Sequence, residues 1–243
     1  MELRGVEGLP EIRPGDDLAA FIAEAAAPLL SGDVVVVAQK VVSKAEGRLR
    51  TLSDVVPSDR ALELARSLDA DARLVQVILD ESTRIVRADR VLIVETHQGF
   101  VCANAGVDRS NVAGQDEVCL LPLDCDSSAR VLRERISTLT GAHVGVVVSD
   151  TFGRAWRMGL VNVAIGVAGL PALIDYRGRP DDFGMPLRAT VVAVADEIAA
   201  AAELLMGKTR RVPVVIVHGL DVFEGASGTG QELVRPPELD LFR

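Results

Sequence analysis

Between residues 146 and 157 the chain reads VVVSDTFGRAWR. An apolar run ends in Asp150 and Thr151, Gly153 turns the chain, and Arg154 and Arg157 follow. A carboxylate beside a hydroxyl at a strand end suits Mg²⁺ held against phosphates. The guanidinium forks of the two Arg suit phosphate or carboxylate. The plainer alternative is a capped turn with a solvated basic face. A second run, CANAGVDRSNV at 102–112, sets Asp108 and Asn111 in a loop after a short apolar stretch. A carboxylate and an amide are oxygen ligands for a hard divalent cation, and a turn in which both bond their own backbone accounts for the same residues. A third, QKVVSKAEGR at 39–48, spaces Lys40, Lys44 and Arg48 by four. On a helix they would share one face, either an anion site or a solvated surface. GLPEI at 8–12 is physically only a turn. Together, two separated aspartates, a Thr, an amide and several cations could hold a nucleoside triphosphate with a divalent metal.

Other chemistries lack their residues. Gly207-Lys208-Thr209 looks like the end of a phosphate loop, but position 202 is Ala where that motif needs Gly, and the triplet follows a helical pattern instead of opening one. It reads as a helix C-cap. No dinucleotide fingerprint, G-x-S-x-G elbow or H-E-x-x-H occurs. His97, His143 and His218 lack ligand spacing, and Cys102, Cys119 and Cys125 form no C-x-x-C pair, so neither a zinc ribbon nor a disulfide framework is expected.

The elements that must position these residues follow from pattern. Asp16 or Asp17 opens a helix to about Ala27, ended by Pro28. Val34–Val37 is a buried strand. Ser58 caps a helix through about Leu68. Short strands are predicted at 83–87, 91–95, 100–103 and 118–121, a helix at about 128–139, and a strand at 143–149 ending in Asp150. Gly159 to Ile174 is mixed and Gly-rich, and 175–186 is loop. A long Ala-rich helix spans about 189–206, closed by Gly207. Val214–Val217 is a last strand, and the tail is loop-like. The absence of a regular βαβ beat favours a mixed α+β fold.

The chain has 243 residues, 49% of them hydrophobic, and a net charge of −9. That length is one large domain or two small ones with a sizeable core. The charge argues against a duplex-DNA partner, and 3% aromatics argues against single-strand stacking. No 18-residue apolar stretch free of charge occurs, so no membrane span is expected. Residues 1–17 contain no apolar signal-type core, and the expectation is a cytoplasmic protein with reduced thiols.

The sequence resembles the coenzyme F420-0:L-glutamate ligases, the gamma-glutamyl ligases that extend the tail of a deazaflavin cofactor. The matching segments are GLPEIRPGDDL (8–18), VVSKAEGR (41–48), ILDESTRIVR (78–87), GFVCANAGVDRSNV (99–112), SDTFGRAWRMGLVNVAIGVAGL (149–170), DYRGRPDDFGMPL (175–187) and ADEIAAAAELLMGK (195–208). The resemblance implies an unusual α+β fold, an intertwined homodimer, and a GTP-dependent ligase with Mg²⁺ or Mn²⁺ at two sites, often helped by a monovalent cation such as K⁺. It implies activation of the F420-0 tail carboxylate as an acyl phosphate, attack by L-glutamate, and further gamma-linked rounds. By position, Leu9, Pro10, Glu11 and Ile12 would line the nucleotide site, Lys44 would contact phosphates, and Asn111 would bind the nucleotide. Asp108 and Asp150 would hold one metal and Thr151 a second. Asp108, Asp150 and Lys44 would be the catalytic set. Gln39 stands where the family usually has Ser or Thr touching GTP, so that contact is expected to differ. The loop 225–231 falls where relatives close over the phosphates, and it matches poorly. Arg48, Arg154 and Arg157 remain for the substrate tail or glutamate. The expected organisation is one ligase unit over 1–243, with 235–243 as a linker in relatives that carry a further flavin domain. The competing readings are a nucleotide- or F420-binding domain without turnover, and an amide ligase for another phosphorylated carboxylate.

Overall fold

The computed structural model describes residues 1–110, 116–221 and 227–240. Asn111 and the first part of the 225–231 loop lie outside the described residues. The architecture is mixed α+β with several sheets. Its centre is a five-stranded sheet built from β1 (Glu2–Val6), β2 (Val34–Ala38), β8 (Gly145–Arg154), β9 (Arg157–Ala168) and β12 (Val214–His218), in the order β1-β12-β2-β8-β9. Among the described residues only β2 and β8 pair in parallel. β2 is a continuous Val run and β8 opens on one at Val146–Val148, as expected of stretches buried on two faces.

Two apolar layers cover this sheet. Val35, Val37, Val146 and Val148 pack with α1 (Leu18–Ala25) and α5 (Cys125–Thr140). Val34, Val36, Val147 and Val215 pack with α6 (Val194–Met206). The split follows from strand geometry, in which neighbouring side chains point to opposite faces. α2 (Gln39–Ala45) follows β2 directly. A third apolar cluster lies in the segment from Leu52 to Leu120. There α3 (Asp59–Leu68) and α4 (Ala72–Asp80) pack near the antiparallel strands β4 (Ser82–Ala88), β5 (Leu92–Thr96) and β6 (Val101–Ala103). The pairs β3 (Leu49–Thr51) with β7 (Glu117–Cys119), and β10 (Ile174–Asp175) with β11 (Val191–Val192), complete the strands.

Local signals placed several ends correctly. Asp17 caps α1 by accepting from Ala20 N–H, and Ser58 caps α3 by accepting from Ala61 N–H. Gly207 ends α6 at positive φ, its N–H bonded to the Glu203 carbonyl. Two expectations need correction, and one helix was missed. Most of the stretch from Gly159 belongs to a 12-residue strand, β9, which begins at Arg157 and is held against β8 along its length. Its glycines hid this: a Cβ on Gly166 would lie 2.2 Å from the Cys125 carbonyl oxygen, so glycine lets α5 approach the sheet. The Ala-rich helix starts at Val194, because Val191 and Val192 pair with Asp175 and Ile174. And α4, capped by the Asp71 carboxylate, went unread although an Asp before an apolar-periodic run is a helix-start signal.

Candidate active site

β8 carries Asp150 to the point where the strand leaves its buried stretch. β9 carries one extra residue, Ile165, opposite the Val148–Ser149 step, and the β8 side chains keep their alternation past it, with Val146, Val148 and Phe152 on one face. Asp150 and Phe152 fall on the face of Val148, toward α2 and Phe100, whereas Ser149 and Thr151 fall on the face of Val147, toward α6. Adjacent residues thus serve two different clusters.

On the α2 side, burial pushes the Asp150 carboxyl up to about 6, and the Asp108 charge pushes in the same direction. Lys40, Lys208 and the Thr151 N–H work against that rise without cancelling it. Asp108 arrives from the loop after β6. Asn104, Ala105 and Gly106 all take positive φ there, and a Cβ on Gly106 would lie 2.8 Å from the Leu121 side chain. The backbone of Asp108 exchanges two hydrogen bonds with Cys119, of 3.0 and 2.9 Å. Burial opposes its charge as well, but Lys40 Nζ at 2.7 Å and Ser110 N–H at 2.6 Å outweigh that and hold its carboxyl below the usual range. Lys40 also donates to the Ser110 carbonyl and hydroxyl.

α2 presents its residues in three directions. Lys40 reaches Asp108. Lys44, with its side chain only 9% exposed, bonds the exposed Glu11 carboxylate. Gln39 turns inward and donates to Ser43 Oγ at 2.6 Å and the Leu120 carbonyl at 2.9 Å. Arg48 follows the helix and is engaged elsewhere: its Nε donates to the Leu121 carbonyl, and its Nη2 pairs with Glu81 at 2.7 Å, both side chains mostly buried. The three cations spaced by four therefore share no single anion site. In the GLPEI turn, Leu9 and Ile12 face the core while Pro10 and Glu11 are exposed.

On the α6 side, Thr151 Oγ bonds Asn162 Oδ1 at 2.6 Å, and Lys208 Nζ donates to Thr151 Oγ. Lys208 also pairs with Glu203 at 3.4 Å. Ser149 Oγ, buried on the same face, has no protein partner among the described residues. Arg154 donates to the Met158 carbonyl, and Arg157 stands opposite it across the exposed β8–β9 turn.

Among the described residues, no three His, Cys, Asp or Glu side chains form a ready metal cluster. The residues fitted to a cation are Asp108 and Asp150, two carboxylates with only Lys40 in contact and Lys208 acting from farther off, one of them charged at a cost imposed by burial. Thr151 does not fit beside them, because its side chain lies on the other face of β8 and is already bonded to Lys208.

The sequence model for "F420-0:Gamma-glutamyl ligase" matches residues 8–219. The chain belongs to this family. It is 46% identical over 244 residues to the coenzyme F420:L-glutamate ligase of Archaeoglobus fulgidus, covering 100% of this chain and 96% of that protein. It is 43% identical to the protein of that name from Methanocaldococcus jannaschii, covering 100% and 97%. With the Methanopyrus kandleri protein of the same name it shares 48% identity over 96% and 94%. The family match encloses the GLPEI turn, α2, the Asp108 loop, β8 and the Lys208 turn.

Reading the residues in isolation missed two contributors. Lys208 sits in a triplet dismissed as a failed phosphate loop and a C-cap. The cap is real, and the next side chain reaches Thr151 across the fold. Asn162 carried a signal that could have found it: a single amide, 3% exposed, inside the apolar run LVNVAIGVA.

Proposed function

We propose that this protein is a GTP-dependent ligase that joins L-glutamate to the tail carboxylate of coenzyme F420-0 and then adds gamma-linked glutamates. The observation that carries the reading is the pair Asp108 and Asp150, flanked by Lys40 and Lys208, in a chain belonging to the F420-0:gamma-glutamyl ligase family.

Transfer of the γ-phosphoryl to a carboxylate brings two anions together, so positive charge must gather where they meet. Asp108 and Asp150 would hold Mg²⁺ or Mn²⁺, which when bound offsets the negative charge on the phosphates. Lys44, at the mouth of the GLPEI turn, would exchange Glu11 for a nucleotide phosphate, with Leu9 and Ile12 forming the apolar wall under the base. Lys40 would keep Asp108 ionised and aimed. The tail carboxylate oxygen takes the phosphoryl group and GDP leaves. The free amine of glutamate then attacks the carbonyl carbon, the C–O bond to phosphate breaks with its electron pair, and the amine loses a proton. No His or Cys nucleophile is needed, and burial makes the thiols of Cys102, Cys119 and Cys125 poor ones by raising their pKa.

Arg154 and Arg157, exposed at the β8–β9 turn, are assigned to the anionic tail or to glutamate. Arg48 drops out of that set, because Glu81 and the Leu121 carbonyl engage it. Trp156, Met158 and Leu160 beside the turn are 74%, 93% and 67% exposed. Such a surface fits a second copy of the chain, as a homodimer. No helix among the described residues is long and apolar enough to cross a membrane.

The test is mass spectrometry of F420-0 incubated with the protein, GTP, L-glutamate and Mn²⁺. Glutamate increments that require GTP support the reading, and their absence with either Mg²⁺ or Mn²⁺ overturns it.

A further inference from the structure

We propose that the ammonium of Lys208 supplies at Thr151 the positive charge that a second divalent cation would bring, so that each chain takes up one divalent ion instead of two. The inference rests on the ligase reading for both metal positions, the first at Asp108 and Asp150 and the second at Thr151.

Three observations carry it. First, Asp150 and Thr151 lie on opposite faces of β8, so Thr151 cannot borrow the Asp108 and Asp150 carboxylates as side-chain ligands on its own face. Second, the Thr151 hydroxyl is used in both directions. It donates its one hydrogen to Asn162 Oδ1 and accepts from Lys208 Nζ. Third, the charges on the two faces differ. Around Asp108 and Asp150, two carboxylates face Lys40 at contact distance, while Lys208 acts on Asp150 from farther off and is itself paired with Glu203, leaving a net negative charge that one dication relieves. Around Thr151, the charged partners of the cluster are Glu203 and Lys208, which pair at 3.4 Å and already cancel. The remaining groups, Asn162 and Ser149, are neutral oxygens. A dication entering there would meet an ammonium at contact distance, with no surplus carboxylate on that face among the described residues to offset the repulsion.

Lys208 is well placed for such a role. Gly207 ends α6 and turns the backbone, so that the next side chain projects from the C-terminal end of the helix. That end favours positive charge. The Lys208 side chain is 60% exposed, so replacing it leaves the core intact.

The experiment counts bound Mn²⁺ by equilibrium dialysis and elemental analysis on the full chain at neutral pH, with and without GDP. It compares wild type, Lys208→Gln and Lys208→Arg. The expected result is one Mn²⁺ per chain for wild type and Lys208→Arg, and two for Lys208→Gln, the second bound at least tenfold more tightly than any second ion in wild type. Two ions or none in wild type overturns the proposal, as does a Lys208→Gln count equal to wild type. Product formation measured on the same preparations separates this from the ligase reading. Product with two ions in wild type removes only the Lys208 assignment. One ion without any glutamate increment removes the ligase reading and leaves the stoichiometry standing.

Discussion

Asp150→Asn exposes the tension stored at the candidate site. Burial raises the Asp150 carboxyl to about 6, against 3.8 for an unperturbed aspartate. A carboxyl raised on folding favours the folded state only while protonated. Its contribution is present below pH 3.8 and is lost as the pH rises through about 6. At pH 7.5 the ionised group therefore destabilises the metal-free protein. About two pKa units at 1.36 kcal/mol each give about 3 kcal/mol. This is a ceiling, because Asp150 keeps a partial opening to solvent. Asparagine preserves the shape and the acceptor for the Thr151 N–H while removing the charge. Metal-free Asp150→Asn should melt several degrees above wild type at pH 7.5, at roughly 2–4 °C per kcal/mol for a chain of this size. The gap should close toward pH 4. Added Mn²⁺ should reverse the order, raising the wild-type melting temperature and leaving the variant unmoved. Differential scanning calorimetry at pH 4, 6 and 7.5, with EDTA or Mn²⁺, reads all of this. A variant no more stable than wild type at pH 7.5, or one that still responds to Mn²⁺, would refute the reasoning.

Three further outcomes follow from the same geometry. Arg48→Ala leaves the mostly buried Glu81 carboxylate unpaired and should cost about 3 kcal/mol in denaturant unfolding, while the KM for F420-0 and glutamate stays within twofold; a large KM rise without destabilisation would return Arg48 to the substrate site. Asp126 accepts from Val167 N–H at 2.8 Å and from Gly230 N–H at 2.6 Å, tying the segment from Ser227 to β9. Asp126→Ala should therefore speed amide exchange at Gly230 and Gln231 by more than tenfold, and unchanged protection would show the tie to be dispensable. Gly166→Ala places a methyl group 2.2 Å from the Cys125 carbonyl oxygen, so α5 must shift; a loss of about 3 kcal/mol or failure to fold is expected, and a wild-type melting temperature would contradict the packing.

The local rules read from the sequence held where a residue acts on its own backbone. Asp17, Ser58 and Gly207 cap the helices they were assigned to, and the Val runs at 34–37 and 146–148 became the buried strands of the central sheet. The type and order of the chemistry-bearing residues were also legible, since Asp108, Asp150, Thr151 and the lysines stand in runs recognisable without coordinates. What one-dimensional spacing could not reveal is which of them meet. Asp150 and Thr151 are neighbours in the chain, yet strand alternation sends them to opposite faces. Lys40 and Arg48 share a spacing, yet one reaches Asp108 and the other Glu81. Lys208 and Thr151 lie 57 residues apart and form a hydrogen bond only because α6 packs back across β9. Residue type, set by the sequence, determined the chemistry on offer. Packing of the two layers on the sheet decided which charges face each other, because electrostatic partners are chosen by distance in space and not along the chain.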